Sequence, residues 1–118
     1  MYGLPEDVNL DFFLGATLIQ VCVGENEVIL NFHPEISVMI AGSVGVTGPD
    51  STQRVLDDAR AAGAAILGVL GASVSKVSGT PDGTLRLSCS DGTVLEIYDS
   101  WEEFESYTVH HGETVIVV

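Results

Sequence analysis

The chain repeats itself. Leu14-Gly15-Ala16-Thr17-Leu18 recurs as Leu70-Gly71-Ala72-Ser73-Val74, and Val21 is matched by Val77 at the same offset. One residue is then gained in the connecting turn, after which Val28, Leu30 and Phe32 align with Leu85, Leu87 and Cys89. Val38 and Ile40 align in turn with Leu95 and Ile97. A duplicated strand-rich unit restricts the fold sharply, because two similar sheets that each bury one face can share a core. The 118 residues are read as one domain, 1–118, with the two copies at about 14–41 and 70–98. Apolar residues make up 46% and aromatic residues only 7%, so the core must be filled by aliphatic side chains.

In the first copy, strands are expected at about 15–23, 27–33 and 35–41, separated by turns at Gly24-Glu25-Asn26 and His33-Pro34-Glu35. Val28, Leu30 and Phe32 alternate with Ile29, Asn31 and His33, the period-2 signature of a strand with one buried face. In the second copy the strands fall at about 72–79, 84–89 and 93–98. Pro81-Asp82-Gly83 and Asp91-Gly92 supply the positive-φ residue that tight hairpin turns need. The apolar positions of each first strand change parity, Leu18 against Val21 and Val74 against Val77, which a bulge would explain.

Between the copies, Asp50 precedes Gln53 by three residues in the manner of a capping box. Val55, Leu56, Ala59, Ala62, Ile66, Val69 and Leu70 follow at helical spacing, so one helix is expected at about 51–67. Ala residues and Gly63 along it allow close approach to a sheet. Two more strands, about 107–111 and 114–118, close the chain around Gly112. The predicted architecture is α+β and mainly antiparallel: two repeated three-stranded meanders forming a partly closed barrel or sandwich, with one connecting helix. Its shared core is assigned to Val28, Leu30, Phe32, Val38, Ile40, Leu85, Leu87, Leu95 and Ile97.

Charge narrows the classes of partner. Seventeen acids stand against Arg54, Arg60, Lys76 and Arg86, a net charge of −13. Such a balance opposes nucleic acid and anionic lipid, which need clustered cations to release counterions. It permits a basic protein partner or cations, and the competing reading is that the acids keep a small apolar domain in solution. The longest uncharged run, Ala61 to Ser75, is shorter than the ~20 apolar residues that span a bilayer, so no membrane association is expected. Met1 to Asp7 has neither the basic nor the apolar region of a signal peptide, and the expected location is cytoplasmic. Cys22 and Cys89 are accordingly read as reduced and structural.

No catalytic constellation emerges. Gly42, Gly45 and Gly48 stand as G-x-x-G-x-x-G, matching neither the dinucleotide fingerprint nor the Walker pattern, and read as a flexible connection. His110 and His111 point to opposite faces of a strand, and no HExxH or CxxC spacing accompanies them or His33. Asp82-Gly83 and Asp91-Gly92 are isolated turn acids rather than a calcium loop. Paired carboxylates such as Asp57-Asp58 occur in any acidic chain. No catalytic residue, metal ligand or cofactor is assigned. The most site-like segment is 101–107, where Trp101, Phe104 and Tyr107 recur at three-residue spacing with Glu102, Glu103 and Glu105 between them. Trp101, Glu102, Glu103, Glu105 and Tyr107 are the candidate binding residues, an anionic patch with aromatic anchors on a short helical turn or ordered loop. The competing reading docks these aromatics on the core.

The wording of the chain also carries a resemblance. Tyr2-Gly3-Leu4-Pro5-Glu6-Asp7, Leu14-Gly15, Gln20-Val21-Cys22 and Val28-x-Leu30-x-Phe32 are followed by Asp82-Gly83-Thr84-Leu85-Arg86-Leu87, Ser90-Asp91-Gly92 and Glu105-Ser106-Tyr107. Together they resemble a family of short bacterial proteins, frequent in actinobacteria, known only as a domain of unknown function. The resemblance covers most of the chain outside 42–66. It implies a bacterial, cytoplasmic protein and transfers no catalytic or binding residue.

Two functions are in competition. The first is a non-catalytic acidic interaction domain that binds a basic protein, as acidic immunity proteins bind basic toxins. The second is a small enzyme or small-ligand-binding domain with a cleft between the repeats. The absence of any nucleophile–base or metal spacing favours the first. The β-branched run Thr114-Val115-Ile116-Val117-Val118, in a chain of mean hydropathy +0.35, further predicts a homodimer by edge pairing or face packing of the last strand.

Overall fold

The first strand of each copy begins on a glycine-led turn, and these two turns organise the molecule. In the computed structural model, which describes residues 3–5, 7–101 and 104–118, Gly15 and Gly71 both hold positive φ, 81° and 89°. Only glycine adopts this conformation without steric cost. The chain leaves each turn antiparallel to the other copy, bridging Thr17 to Ser73. Gly15 N–H donates to the Val74 carbonyl (2.8 Å) and Gly71 N–H to the Leu18 carbonyl (2.8 Å). Leu18 N–H donates to Ala72 (3.0 Å) and Val74 N–H to Ala16 (2.8 Å). Each bond has its counterpart when 15 is exchanged with 71, 16 with 72 and 18 with 74.

Among the described residues, ten strands follow a short 3₁₀ turn at Asp11–Phe13. They are β1 (Thr17–Val23), β2 (Val28–His33), β3 (Ile36–Ile40), β4 (Val44–Thr47) and β5 (Gln53–Leu56), then, after helix α1 (Ala59–Leu67), β6 (Val74–Gly79), β7 (Leu85–Cys89), β8 (Val94–Ile97), β9 (Tyr107–His111) and β10 (Thr114–Val117). All pairings are antiparallel and form two five-stranded sheets, ordered β1-β2-β3-β9-β10 and β5-β4-β8-β7-β6. The sheets lie against each other as a sandwich and do not close into a barrel. β1 and β6 each carry a register shift, between Leu18 and Gln20 and between Val74 and Lys76, which accounts for the parity change in the sequence.

The meanders β1-β2-β3 and β6-β7-β8 fall where the alternating pattern places them. All nine residues assigned to the shared core are buried, among them Leu30, Val38, Leu85, Leu87, Leu95 and Ile97 at 0% exposure. Burying a side chain of this size contributes roughly 1.5–3 kcal/mol. Phe13, Val44, Ile66, Tyr107 and Val109 complete the same core.

Three expectations need correction. Each sheet has five strands, because a two-stranded hairpin joins each meander. The hairpins are crossed: β4-β5 follows the first meander in the chain but pairs with β8, and β9-β10 follows the second but pairs with β3. Residues 42–48 are therefore not a flexible connection, since Val44, Gly45 and Val46 are buried in β4. The helix spans Ala59–Leu67 rather than 51–67, because the stretch holding Val55 and Leu56 is taken into β5 by the edge of β4. Asp50 does not cap it; its carboxylate accepts from Thr52 N–H (3.1 Å), and Asp58 caps instead, accepting from Ala61 N–H (3.2 Å). Gly63 allows α1 to lie directly on β1, where a Cβ would overlap Val23 Cγ2.

Candidate functional site

The connection from β8 to β9 crosses the end of the first sheet and is held there by polar bonds. Ser106 is fully buried; its hydroxyl donates to Asp99 Oδ1 (3.0 Å) and accepts from Trp101 N–H (3.0 Å). Asp99 also accepts from Gly3 N–H (2.9 Å). The Ser106 carbonyl takes the N–H groups of both Ala41 and Gly42 (2.9 Å each), and Ser100 Oγ takes Ser43 N–H (2.9 Å). This strap carries Trp101 outward. Its indole Nε1 donates to the Ala41 carbonyl (3.1 Å) while 48% of the residue stays exposed. A bonded edge and an open face are how an interfacial tryptophan is presented.

Beside Trp101 lies a cleft of about 390 Å³. Its floor and walls are Glu25 and Asn26 from the β1-β2 turn, Ala41, the Asp57-Asp58-Ala59 entry to α1, and Trp101, Phe104 and Glu105 from the strap. Four carboxylates thus line one open depression with two exposed aromatic rings. Asp57 is fixed by the Ser43 hydroxyl (2.5 Å), and Asp58 by its capping bond. None of the chain's four Lys and Arg side chains lines the cleft. An uncompensated acidic surface with aromatic faces suits ammonium or guanidinium groups, which gain both ion pairing and contact with the ring quadrupole.

The sequence-based candidates separate here. Trp101 and Glu105 line the cleft; Glu102 and Glu103 lie outside the described residues. Tyr107 does not join them. It is 1% exposed in β9, and its hydroxyl donates to the Gly83 carbonyl (2.6 Å) in the core. Burial, with the nearby charges of Asp99 and Asp82, pushes its phenol well above the ordinary tyrosine range. Three-residue spacing suggests a shared face only on a helix, and Tyr107 opens a strand instead. Glu25, Asp57 and Asp58 were missed as members of the site. Asp57-Asp58 is visible in the sequence, but its position beside Trp101 depends on the β4-β5 hairpin.

The other reactive side chains are placed structurally. His111 is half-buried and stacks on Phe12, ring centroids 4.3 Å apart and 6° from parallel, whereas His110 is exposed. Both cysteines are free. Burial, and secondarily Asp91, push the Cys89 thiol up to about 11, which suits packing and not nucleophilic chemistry. Asp82 binds Thr80 Oγ1 and Thr84 N–H within its own turn. No helix among the described residues is long and apolar enough to cross a membrane.

No curated protein and no solved structure matches the chain. A family model does, over residues 12–118, so that both sheets, the helix and the strap with its cleft lie inside the matched region, and the chain belongs to the family of unknown function DUF6188.

Proposed function

We propose that this chain is a non-catalytic interaction domain whose acidic, aromatic-lined cleft takes a basic segment of a partner protein. The observation that carries the reading is the gathering of Glu25, Asp57, Asp58 and Glu105 around the exposed rings of Trp101 and Phe104. These residues come from three separate parts of the chain. The net charge of −13 supports the same reading by steering a cationic partner toward the surface. Neutralisation of a basic toxin by an acidic immunity protein is a physical precedent. A reducing compartment such as a bacterial cytoplasm, which the resemblance implies, is compatible with two free thiols.

A second reading rests on one groove. Asp11, in the turn before the first copy, and Leu14, at its start, face Ser75–Ser78, Arg86 and Ser88 of the second across about 560 Å³. Lys76 and Arg86 put two cations there beside serine side chains, as a small anionic ligand would require.

Capture from lysate of the source organism at low and high salt separates the readings. The wild-type chain is expected to retain a basic protein at low salt and release it at high salt, since exposed charges are screened over about 10 Å at 0.1 M. Glu105→Gln should weaken that capture without changing thermal stability, and Trp101→Ala should weaken it with a stability loss of about 0.5–1.5 kcal/mol from its bond to the Ala41 carbonyl. Recovery of no basic partner at either salt, or capture indifferent to both variants, overturns the proposal. Binding of inorganic phosphate to the wild-type chain, lost on Lys76→Ala or Arg86→Ala, would favour the groove.

A further inference from the structure

A β-sandwich with two open sheets has four outer edges, and three of them are blunted here. β1 and β6 carry bulges and bond each other through the Thr17–Ser73 bridge. β5 holds Arg54, is followed directly by Asp57 and Asp58, and has α1 packed beside it. These are the devices by which edges are kept from pairing with other chains. Within its own four residues β10 has none of them, and the acid beside it, Glu113, lies in the turn that precedes the strand. It pairs with β9 alone among the described residues, runs as Thr114-Val115-Ile116-Val117 without bulge, charge or proline, and exposes 53% of Val115 and 37% of Val117.

We propose that β10 pairs antiparallel with β10 of a second copy of this chain, about a two-fold axis through Ile116. The side-chain pattern selects both the occupant and the register. Val115 and Val117 point outward and Ile116 inward at 7% exposure. Outward residues must oppose outward residues across the new pair, and among the registers that satisfy this, the one with Ile116 against the partner's Ile116 and Val115 against the partner's Val117 sets both exposed valines against valine, whereas Val115 against the partner's Val115 would set Val117 against Glu113. The two-fold then repeats the Val115–Val117 contact, so one strand supplies both halves of the interface, as an isologous contact requires. The same row continues inland through Thr108, a threonine only 8% exposed, to Met39, 41% exposed, and Ile29. Charge points to the same place. Two copies at −13 repel, and residues 114–118 form a strip without an acidic side chain in a chain with 17 acids. The result is one ten-stranded sheet, β1-β2-β3-β9-β10 continued by its mirror order in the partner.

Light scattering coupled to gel filtration tests this on the full chain. Wild type is expected near twice 12.4 kDa. Val115→Glu and Val117→Lys, both at exposed positions, should each give the monomer mass with unchanged circular dichroism and at least tenfold weaker self-association. A one-to-one mixture of the two should recover the dimer, because the register sets residue 115 of one chain against residue 117 of the other. Val55→Lys on β5 should leave the dimer intact. A monomeric wild type overturns the proposal, and so does a dimer indifferent to both β10 substitutions. A mixture that stays monomeric overturns the register. Partner capture by the cleft is read separately and fails or succeeds independently of these masses.

Discussion

Gly63 lies in the second turn of α1, where ordinary helix energetics give one answer and the structure gives the opposite. Replacing a mid-helix glycine by alanine stabilises by about 0.8–1 kcal/mol, because the unfolded chain loses conformational freedom. Here the added Cβ overlaps Val23 Cγ2, with Val23 Cβ 3.6 Å away. Val23 is β-branched and in a strand, so its methyl cannot swing clear without leaving its rotamer. Overpacking of this kind costs about 1–3 kcal/mol, so Gly63→Ala should be destabilising by a net of about 0–2 kcal/mol. Val23 is 47% exposed, and Val23→Ala alone should cost about 1 kcal/mol or less. In that background the obstruction is gone, and Gly63→Ala should now stabilise by about 1 kcal/mol. The cycle therefore predicts a coupling of about 1–3 kcal/mol, well above the error of paired denaturation curves. Urea midpoints of the four proteins at equal slope measure it. If Gly63→Ala stabilises equally in both backgrounds, α1 does not rest on β1 as described.

Other expectations are simpler to state. Tyr107→Phe removes the donor to the buried Gly83 carbonyl (2.6 Å) and should cost about 1–3 kcal/mol. With an unfolding entropy of about 2.1 cal/mol/K per residue, that is a drop in Tm of roughly 4–12 °C, measurable by calorimetry. Asp58→Ala removes the side-chain acceptor of Ala61 N–H, so a loss of about 1 kcal/mol is expected by thermal denaturation, together with weaker retention of a basic partner. Thiol titration at pH 8 should find Cys22, half-exposed on β1, reacting in the native protein. Cys89, buried with its thiol raised to about 11, should react only on unfolding; equal rates would contradict its placement.

The parts of the fold that sequence reveals are those stabilised by local alternation. Val28, Leu30 and Phe32 announce a half-buried strand regardless of what covers them, and the glycines at 83 and 92 announce their turns. β4 is different: Val44-Gly45-Val46 also alternates, but Gly45 carries no side chain and two more glycines flank the segment. β5 is stranded because β4 offers it an edge, and its own residues agree as well with a helix. Helical spacing gave the true stripe of α1, Ala62 and Ile66, and extended it falsely backward to Val55. The site shows the same division. Trp101 and Glu105 were visible as a local cluster, whereas their meeting with Glu25 and Asp57 depends on three loops brought together by pairings remote in sequence.

The crossed hairpins also set an order of assembly. The second sheet, β4 to β8, uses a continuous stretch of chain from 44 to 97 and can be complete while synthesis continues. The first sheet cannot. Its strands β1 to β3 are made before the other strands of the sandwich, yet their fourth and fifth partners, β9 and β10, are made after them all. Until then the edge of β3 stands open, with Ile36, Val38 and Ile40 lacking the cover of Tyr107 and Val109. Closing that gap joins residues some seventy positions apart in sequence, a costly loop that delays the step. A chain interrupted before residue 107 therefore releases a half-built sandwich whose oldest sheet is its stickiest surface.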